Sequence, residues 1–440
     1  MSNKIRRRER TAIIQSLQAG VVPRVGLQHI QVGRLEEVEA VLRDLENIKE
    51  GGASIRFIIG RFGSGKSFFL NLARIVALEQ KFVVVQADIT LERRLHASDG
   101  KARNLYSELM QNMATRSKPA GGALASVIER WVSDIDYSVR DSGGDEEDVS
   151  DAIHEKLKPL QEYVSGYDFA EVISRYVEGF HKSDDQLVSS AIRWLKGEYG
   201  TKTEARQDLG VRSVITDKNI YDYLKLMGRF IQLAGYNGLL VNIDEMGVLS
   251  HRLNHSTSRN NNYEKLLAIV NDCLQGNVTG IGFIFAGTDA FLEDKRRGLY
   301  SYEALATRLA ENTFAVDGLK DFSSPIIRLE NLSPEDLFVL LCNIRSVFAS
   351  DDSGKHIVPD DALKAFMQHC SNTLGAAFYR TPRDTVKSFV GLLSVLEQNP
   401  GADWRNLLKG VTIKSDPTPE SGENTCPTDG DSDDLAKFQL

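Results

Sequence analysis

The run Gly60-Arg61-Phe62-Gly63-Ser64-Gly65-Lys66-Ser67 constrains the chain more than any other feature. It satisfies G-x-x-x-x-G-K-[ST] in full, with Gly60, Gly65, Lys66 and Ser67 in the defining positions. A loop of this kind works only between a buried strand and the first turn of a helix. Both are present: the apolar run Ile55–Ile59 precedes it, and residues 66–79 read as a helix. The glycines let the backbone turn and bring its N–H groups against phosphate oxygens, and the helix N-terminus adds a positive dipole. Lys66 carries charge to the β- and γ-phosphates, and the Ser67 hydroxyl can ligate Mg²⁺. The expected ligand is a nucleoside triphosphate, ATP with Mg²⁺. Gly60, Gly63, Ser64, Gly65, Lys66, Ser67 and Phe68 are the binding candidates. The competing reading, a glycine-rich turn with an incidental lysine, does not account for the strand and helix on either side.

A phosphate loop needs an acidic partner at the end of a neighbouring strand. Leu239-Leu240-Val241-Asn242-Ile243-Asp244-Glu245 supplies one, a Walker B pattern. Asp244 is the Mg²⁺ candidate, and Glu245 the residue that would polarise an attacking water. The run Ile281–Ala286 ends in Gly287-Thr288-Asp289 and suits a strand between the loop strand and the Asp244 strand. There Thr288 can sense the γ-phosphate, cap the helix that follows, or do both. Arg296, Arg297 and Arg308 follow; Arg308 is the candidate to reach the γ-phosphate of a neighbouring subunit, which would require a homo-oligomer. Arg383, at the start of a later helix, is a candidate second sensor. A solvated surface position is the alternative for each of these arginines.

Short apolar strands (Ile55–Ile59, Phe82–Gln86, Gly238–Ile243, Ile281–Ala286 and Pro325–Leu329) alternate with helical patterns. The expected class is therefore α/β, a P-loop NTPase with a parallel sheet. Residues 1–50 read as an N-terminal helical segment, and residues 51–99 and 231–330 as the ATPase core. The interval 100–230 is helical and far longer than one crossover, so it reads as a large helical insertion; within it residues 141–151 read as a mobile acidic loop. Residues 331–408 form three short amphipathic helices and read as a C-terminal helical lid. Residues 409–440, rich in Ser, Thr, Gly, Pro and acid, read as a disordered acidic tail.

The 440 residues carry a net charge of -8. From Lys414 onward seven acids face two lysines, so most of that charge sits in the tail. Overall charge therefore decides nothing about nucleic acid. The four cysteines form no CxxC pair, and no apolar run approaches the roughly 18–20 residues of a membrane helix. With no h-region after the basic start, a cytoplasmic location without membrane contact is expected. His251 and His255 have i, i+4 spacing but lack the glutamate of a metalloprotease helix and read as loop. The stretch Arg259–Tyr263 reads as a flexible loop near the site. Trp131, Trp194, Tyr221 and Tyr223 read as helix packing rather than base-stacking platforms.

The set Gly60–Ser67, Asp244-Glu245, Gly287-Thr288, a trailing arginine and Arg383 in a helical lid resembles AAA+ ATPases, closest to their initiator-like branch. Val32-Gly33-Arg34-Leu35-Glu36-Glu37 looks like the adenine-side segment of that branch, which makes Arg34 a nucleotide-binding candidate by resemblance. Longer stretches, Gln18–Arg24 (QAGVVPR), Phe57–Leu70, Ala191–Arg212, Ala234–Glu245, Asp294–Leu309 and Phe378–Asp384 (FYRTPRD), resemble the BrxD-type ATP-binding proteins of bacterial BREX phage-defence systems. This resemblance spans roughly residues 10–400. It implies an ATPase working with other BREX defence proteins, a helicase-like partner and DNA. Direct DNA contact is left open, because the ordered chain is expected to end near 409, short of the winged helix that initiators carry. Two functions follow as expectations: an ATPase whose turnover switches the lid and insertion, or a signalling scaffold that holds nucleotide with little turnover. A nucleotide kinase shares the loop, but no acceptor pocket is recognisable.

Overall fold

A computed structural model describes residues 5–315, 320–374 and 382–410. Five parallel strands form one sheet: β1 (Ala53–Ile59), β2 (Val83–Asp88), β3 (Leu239–Asp244), β4 (Ile281–Gly287) and β5 (Ile326–Arg328). Their spatial order is β2-β3-β4-β1-β5. Thus β4 lies between the loop strand and the Asp244 strand, in register Ala53↔Ile281 with β1 and Leu239↔Ile281 with β3. Alternate side chains leave opposite faces of a strand. Ile55, Phe57 and Ile59 enter one apolar cluster, and Ile58 enters another with Val84, Leu240 and Ile284. Burial on both faces is why these strands read as mainly apolar runs, with Arg56, Gln86 and Asn242 among the polar residues inside them.

Helices Leu35–Lys49 and Lys66–Glu79 cover the second face. The first is covered by helices Ile220–Leu233 and Ser256–Gln275. The segment between β2 and β3 carries helices from Lys101 to Leu233. Its centre is aromatic: Trp131 meets Phe230 edge-on at 5.3 Å, and Trp194 meets Tyr223 at 5.4 Å. The Trp194 indole donates to the Ser213 carbonyl at 2.9 Å. These residues share one continuous apolar cluster with the sheet.

His251, read as loop, ends the short helix Gly247–His251, and two longer loop readings are also corrected. Residues 146–157 form a helix, because Asp145 accepts hydrogen bonds from the Glu147 and Asp148 backbones at 2.9 and 3.2 Å, and Asp148 accepts from the Asp145 N–H at 2.9 Å. This reciprocal cap starts the helix, and Val149, Ile153 and Leu157, spaced by four, bury its inner face. Arg259–Tyr263 lies within the helix Ser256–Gln275, and Arg259, Asn262 and Tyr263 are buried. The Asn262 side chain accepts from the His96 N–H and donates to the His96 carbonyl. That tertiary pairing outweighs the weak helix propensity of three asparagines.

Helices Pro334–Phe348, Asp360–Leu374 and Pro382–Gln398 make up the C-terminal region read above as a lid, followed by Trp404–Gly410. The N-terminal helix Arg7–Gln18 packs into the same cluster: Ile13, Leu27 and Ile30 join Leu341, Phe389 and Leu393. Arg10 donates to the Phe348 carbonyl at 3.0 Å. The tail from 411 and residues Phe378–Thr381 lie outside the described residues. Among the described residues no helix is long and apolar enough to cross a membrane.

Candidate functional site

The loop leaves β1 at the C-terminal edge of the sheet. The Gly60 N–H donates to the Gly287 carbonyl at 3.3 Å, which ties the loop to the end of β4. Gly60 has no room for a side chain, since a Cβ there would stand 2.6 Å from Ser64 Oγ and 2.8 Å from the Leu329 carbonyl. Gly63 and Gly65 take φ of 80° and 93°. At Gly65 a Cβ would meet nothing within 4 Å. No hydrogen bond among the described residues occupies the Gly63 or Gly65 N–H. Lys66 folds back over the loop, its Nζ donating to the Gly60 and Arg61 carbonyls at 2.8 Å each. Ser64 is buried, and its hydroxyl has no partner among the described residues.

Across 177 positions of sequence, Ser67 Oγ donates to Asp244 Oδ2 at 2.6 Å. Asp244 is buried, and its Oδ1 accepts the Glu245 N–H at 2.8 Å. Glu245 sits in the left-handed region at φ 58°, a strained place for a residue other than Gly or Asn. A third acid lies close by: Asp88 ends β2 in register with Asp244, and its charge acts on Glu245. Partial desolvation, then the charges of Asp244 and Asp88, hold the Glu245 carboxyl above its ordinary range, with Lys66 and Arg252 opposing. Asp88 is raised in the same way, by desolvation first and Asp244 second.

Thr288 caps the helix Asp289–Glu293, its Oγ1 accepting the Phe291 N–H at 3.3 Å. It stands beside the turn after Glu245, 3.8 Å from where a Cβ on Gly247 would lie. Arg297 is committed elsewhere: its guanidinium donates to the His251 and Leu253 carbonyls at 3.2 Å. Arg308 is exposed, donating to the Ala304 carbonyl at 3.0 Å and to Asn271 Oδ1. Arg383 is exposed and lies against Gly20, its Nε 2.9 Å from the position of a Cβ there. Phe68 faces the lid cluster, and the Arg34 guanidinium donates to the Ser64 carbonyl at 3.2 Å.

Two residues escaped the sequence reading. Asp88 had a signal, an acid closing the buried run Val83–Ala87. Asn242 had none: it is fully buried, and its amide donates to the Leu70 carbonyl at 3.3 Å, tying β3 to the loop helix. The donor set fits a triphosphate with a divalent cation. Open backbone N–H groups and Lys66 face one side, and the paired Ser67 and Asp244 oxygens supply hard ligands on the other.

A parallel α/β sheet with a phosphate-binding loop at its C-terminal edge is compatible with a P-loop ATPase. The family model for the BREX system ATP-binding protein BrxC/D matches residues 5–412, so the chain belongs to that family. The family name supplies ATP as ligand, and BREX membership makes other BREX defence proteins its partners. No curated protein matches the chain.

Proposed function

We propose that the chain is a Mg²⁺-dependent, AAA+-like ATPase that acts as a nucleotide-driven switch in BREX phage defence. The observation that carries the reading is the Ser67–Asp244 hydrogen bond at 2.6 Å with Glu245 next in the chain. Ser67 and Asp244 would hold Mg²⁺, which, when bound, neutralises charge on the β- and γ-phosphates. Lys66 would exchange the Gly60 and Arg61 carbonyls for phosphate oxygens. Glu245 would orient water and accept its proton; its upward-shifted carboxyl brings it nearer the operating pH of a general base. Thr288 is proposed to report the γ-phosphate to the helix it caps. Arg308, exposed and held at the end of a helix, is proposed to act on a neighbouring subunit's nucleotide, and Arg383 to sense it from the lid. The insertion and lid would present the switch to a helicase-like partner or DNA.

The test is steady-state phosphate release with Mg²⁺-ATP. Glu245→Gln should retain ATP binding and lose turnover by about 10²–10⁴-fold, the usual worth of a general base; Lys66→Ala should lose both. Release from Glu245→Gln equal to wild type would overturn the assignment. Wild-type release no greater than that of Lys66→Ala would instead favour a scaffold holding nucleotide without turnover.

A further inference from the structure

We infer that Arg34 is a positioning residue for the phosphate loop, acting through the Ser64–Gly65 peptide rather than on the nucleotide base. The inference rests on the nucleotide-site reading above. Arg34 itself occupies the left-handed region at φ 65°, directly after Gly33 at φ 64°. This backbone turns its side chain inward, where only 11% of it is exposed. The guanidinium then makes three contacts. It donates to the Ser64 carbonyl at 3.2 Å, donates to the Glu330 carbonyl, and lies 3.5 Å from the carboxylate of the buried Glu37. Glu37 in turn is 4.0 Å from Lys320.

The Ser64 carbonyl shares its peptide plane with the Gly65 N–H, and this peptide is trans. In a trans peptide the two groups point in opposite directions. A guanidinium fixed on the oxygen therefore directs the Gly65 N–H away from itself and polarises it as a donor. That N–H has no hydrogen-bond partner among the described residues. Its freedom to approach an anion depends on the same plane being held still. The fork geometry matters, because one guanidinium must span the loop and the Glu330 carbonyl, just past β5 and three residues before the lid's first helix cap at Ser333. A lysine can serve only one of them well.

The test is affinity, measured by titration on Arg34→Ala and Arg34→Lys with three Mg²⁺-loaded probes: ATP, ADP and inorganic tripolyphosphate. Arg34→Ala should weaken all three by a similar factor of about tenfold, with Arg34→Lys in between, and binding stoichiometry should stay that of wild type. A merely structural role would lower the stoichiometry of competent protein instead of the affinity. A loss confined to ATP and ADP, with tripolyphosphate unchanged, would mark a base or ribose contact and overturn the proposal. Unchanged affinity for every probe would also overturn it, and if Arg34→Ala does not fold, wild-type affinity in Arg34→Lys decides against it. Failure of the wild type to bind any probe would count against the nucleotide site itself.

Discussion

Replacing Gly65 by alanine separates what the loop backbone costs from what it does. Gly65 has φ 93° and ψ 22°. An L-residue in the left-handed region costs about 1–2 kcal/mol. The reduced freedom of the unfolded chain returns about 0.4–1 kcal/mol of that. No steric term is added, because the new Cβ meets nothing within 4 Å. The net destabilisation is at most about 1.6 kcal/mol, which lowers Tm by no more than about 6 °C in a unit of this size. The effect on nucleotide should be far larger. The methyl group would stand on the carbon next to the Gly65 nitrogen, in space the protein leaves free, and crowd an anion that takes the Gly65 N–H. Each hydrogen bond to a charged group is worth about 1.5–3 kcal/mol. Losing two of them weakens ATP by on the order of 10²–10⁴-fold. Gly276 provides the matched control, with φ 71° and again nothing within 4 Å of a Cβ. It caps the helix Ser256–Gln275 just before β4 begins, at the sheet edge opposite the loop. Gly276→Ala should cost a similar drop in Tm and leave ATP affinity unchanged. Thermal melts and titration of a fluorescent ATP analogue read the two quantities. Gly65→Ala binding ATP within threefold of wild type would refute the reasoning, as would an equal loss of affinity in Gly276→Ala.

Asp88→Asn should raise the melting temperature of the nucleotide-free, metal-free protein at pH 8. The folded-state Asp88 carboxyl is raised by desolvation, Asp244 and Glu108, against Arg93 and Arg24. Its ionised form is therefore penalised in the fold, so wild-type stability falls as pH rises through the window above the ordinary carboxylate value of about 4. The advantage of the variant should vanish on going below that value; an Asp88→Asn protein no more stable than wild type at pH 8 counts against the crowding. Arg308→Ala should abolish any rise of ATPase rate per subunit with protein concentration while sparing ATP affinity. A flat wild-type rate across concentration, with Arg308→Ala as active as wild type, would remove the arginine from the reaction.

The sheet was legible because its strands are buried on both faces, so Val83–Val85 is apolar throughout and Leu239–Ile243 is apolar at every position but Asn242. The loop helix was legible to its ends, Lys66 and Glu79, since its N-terminus is fixed by the glycine motif itself. The helix Glu146–Leu157 was hidden by composition. Its cap and first turn are nearly all acid, which reads as a solvated loop unless the Asp145–Asp148 reciprocity is noticed. The buried Asn262 was hidden for a different reason: its partner is the His96 backbone, 166 residues away, and no local pattern encodes that pairing. At the site, residue types announced Lys66, Ser67, Asp244 and Glu245. The orientation of Arg34 depended on two consecutive left-handed residues, a backbone property that its side-chain chemistry does not advertise.

The packing of the lid bears on how a nucleotide could move it. A ligand shifts an equilibrium only by its differential interaction with the two states, so the loop must touch something that differs between them. Phe68, one residue after Ser67, packs with Ile75 against the lid cluster from the loop helix. Leu329, in the stretch leading from β5 to the lid, puts its carbonyl against Gly60, and Glu330 is held by Arg34. The helix Arg7–Gln18 closes the arrangement, because it shares the lid's core while the chain that follows it returns through Arg34 to the sheet. Displacement of the loop by phosphate would therefore reach these helices through an apolar contact on one side and a guanidinium bridge on the other. If those routes are the coupling, Phe68→Ala should leave Lys66, Ser67 and Asp244 in place yet uncouple nucleotide from lid protection. Hydrogen exchange across Pro334–Phe348 with and without ATP reads this directly: wild type should gain protection, Phe68→Ala should gain much less, and equal gains in both would show that the lid answers to the loop by another path.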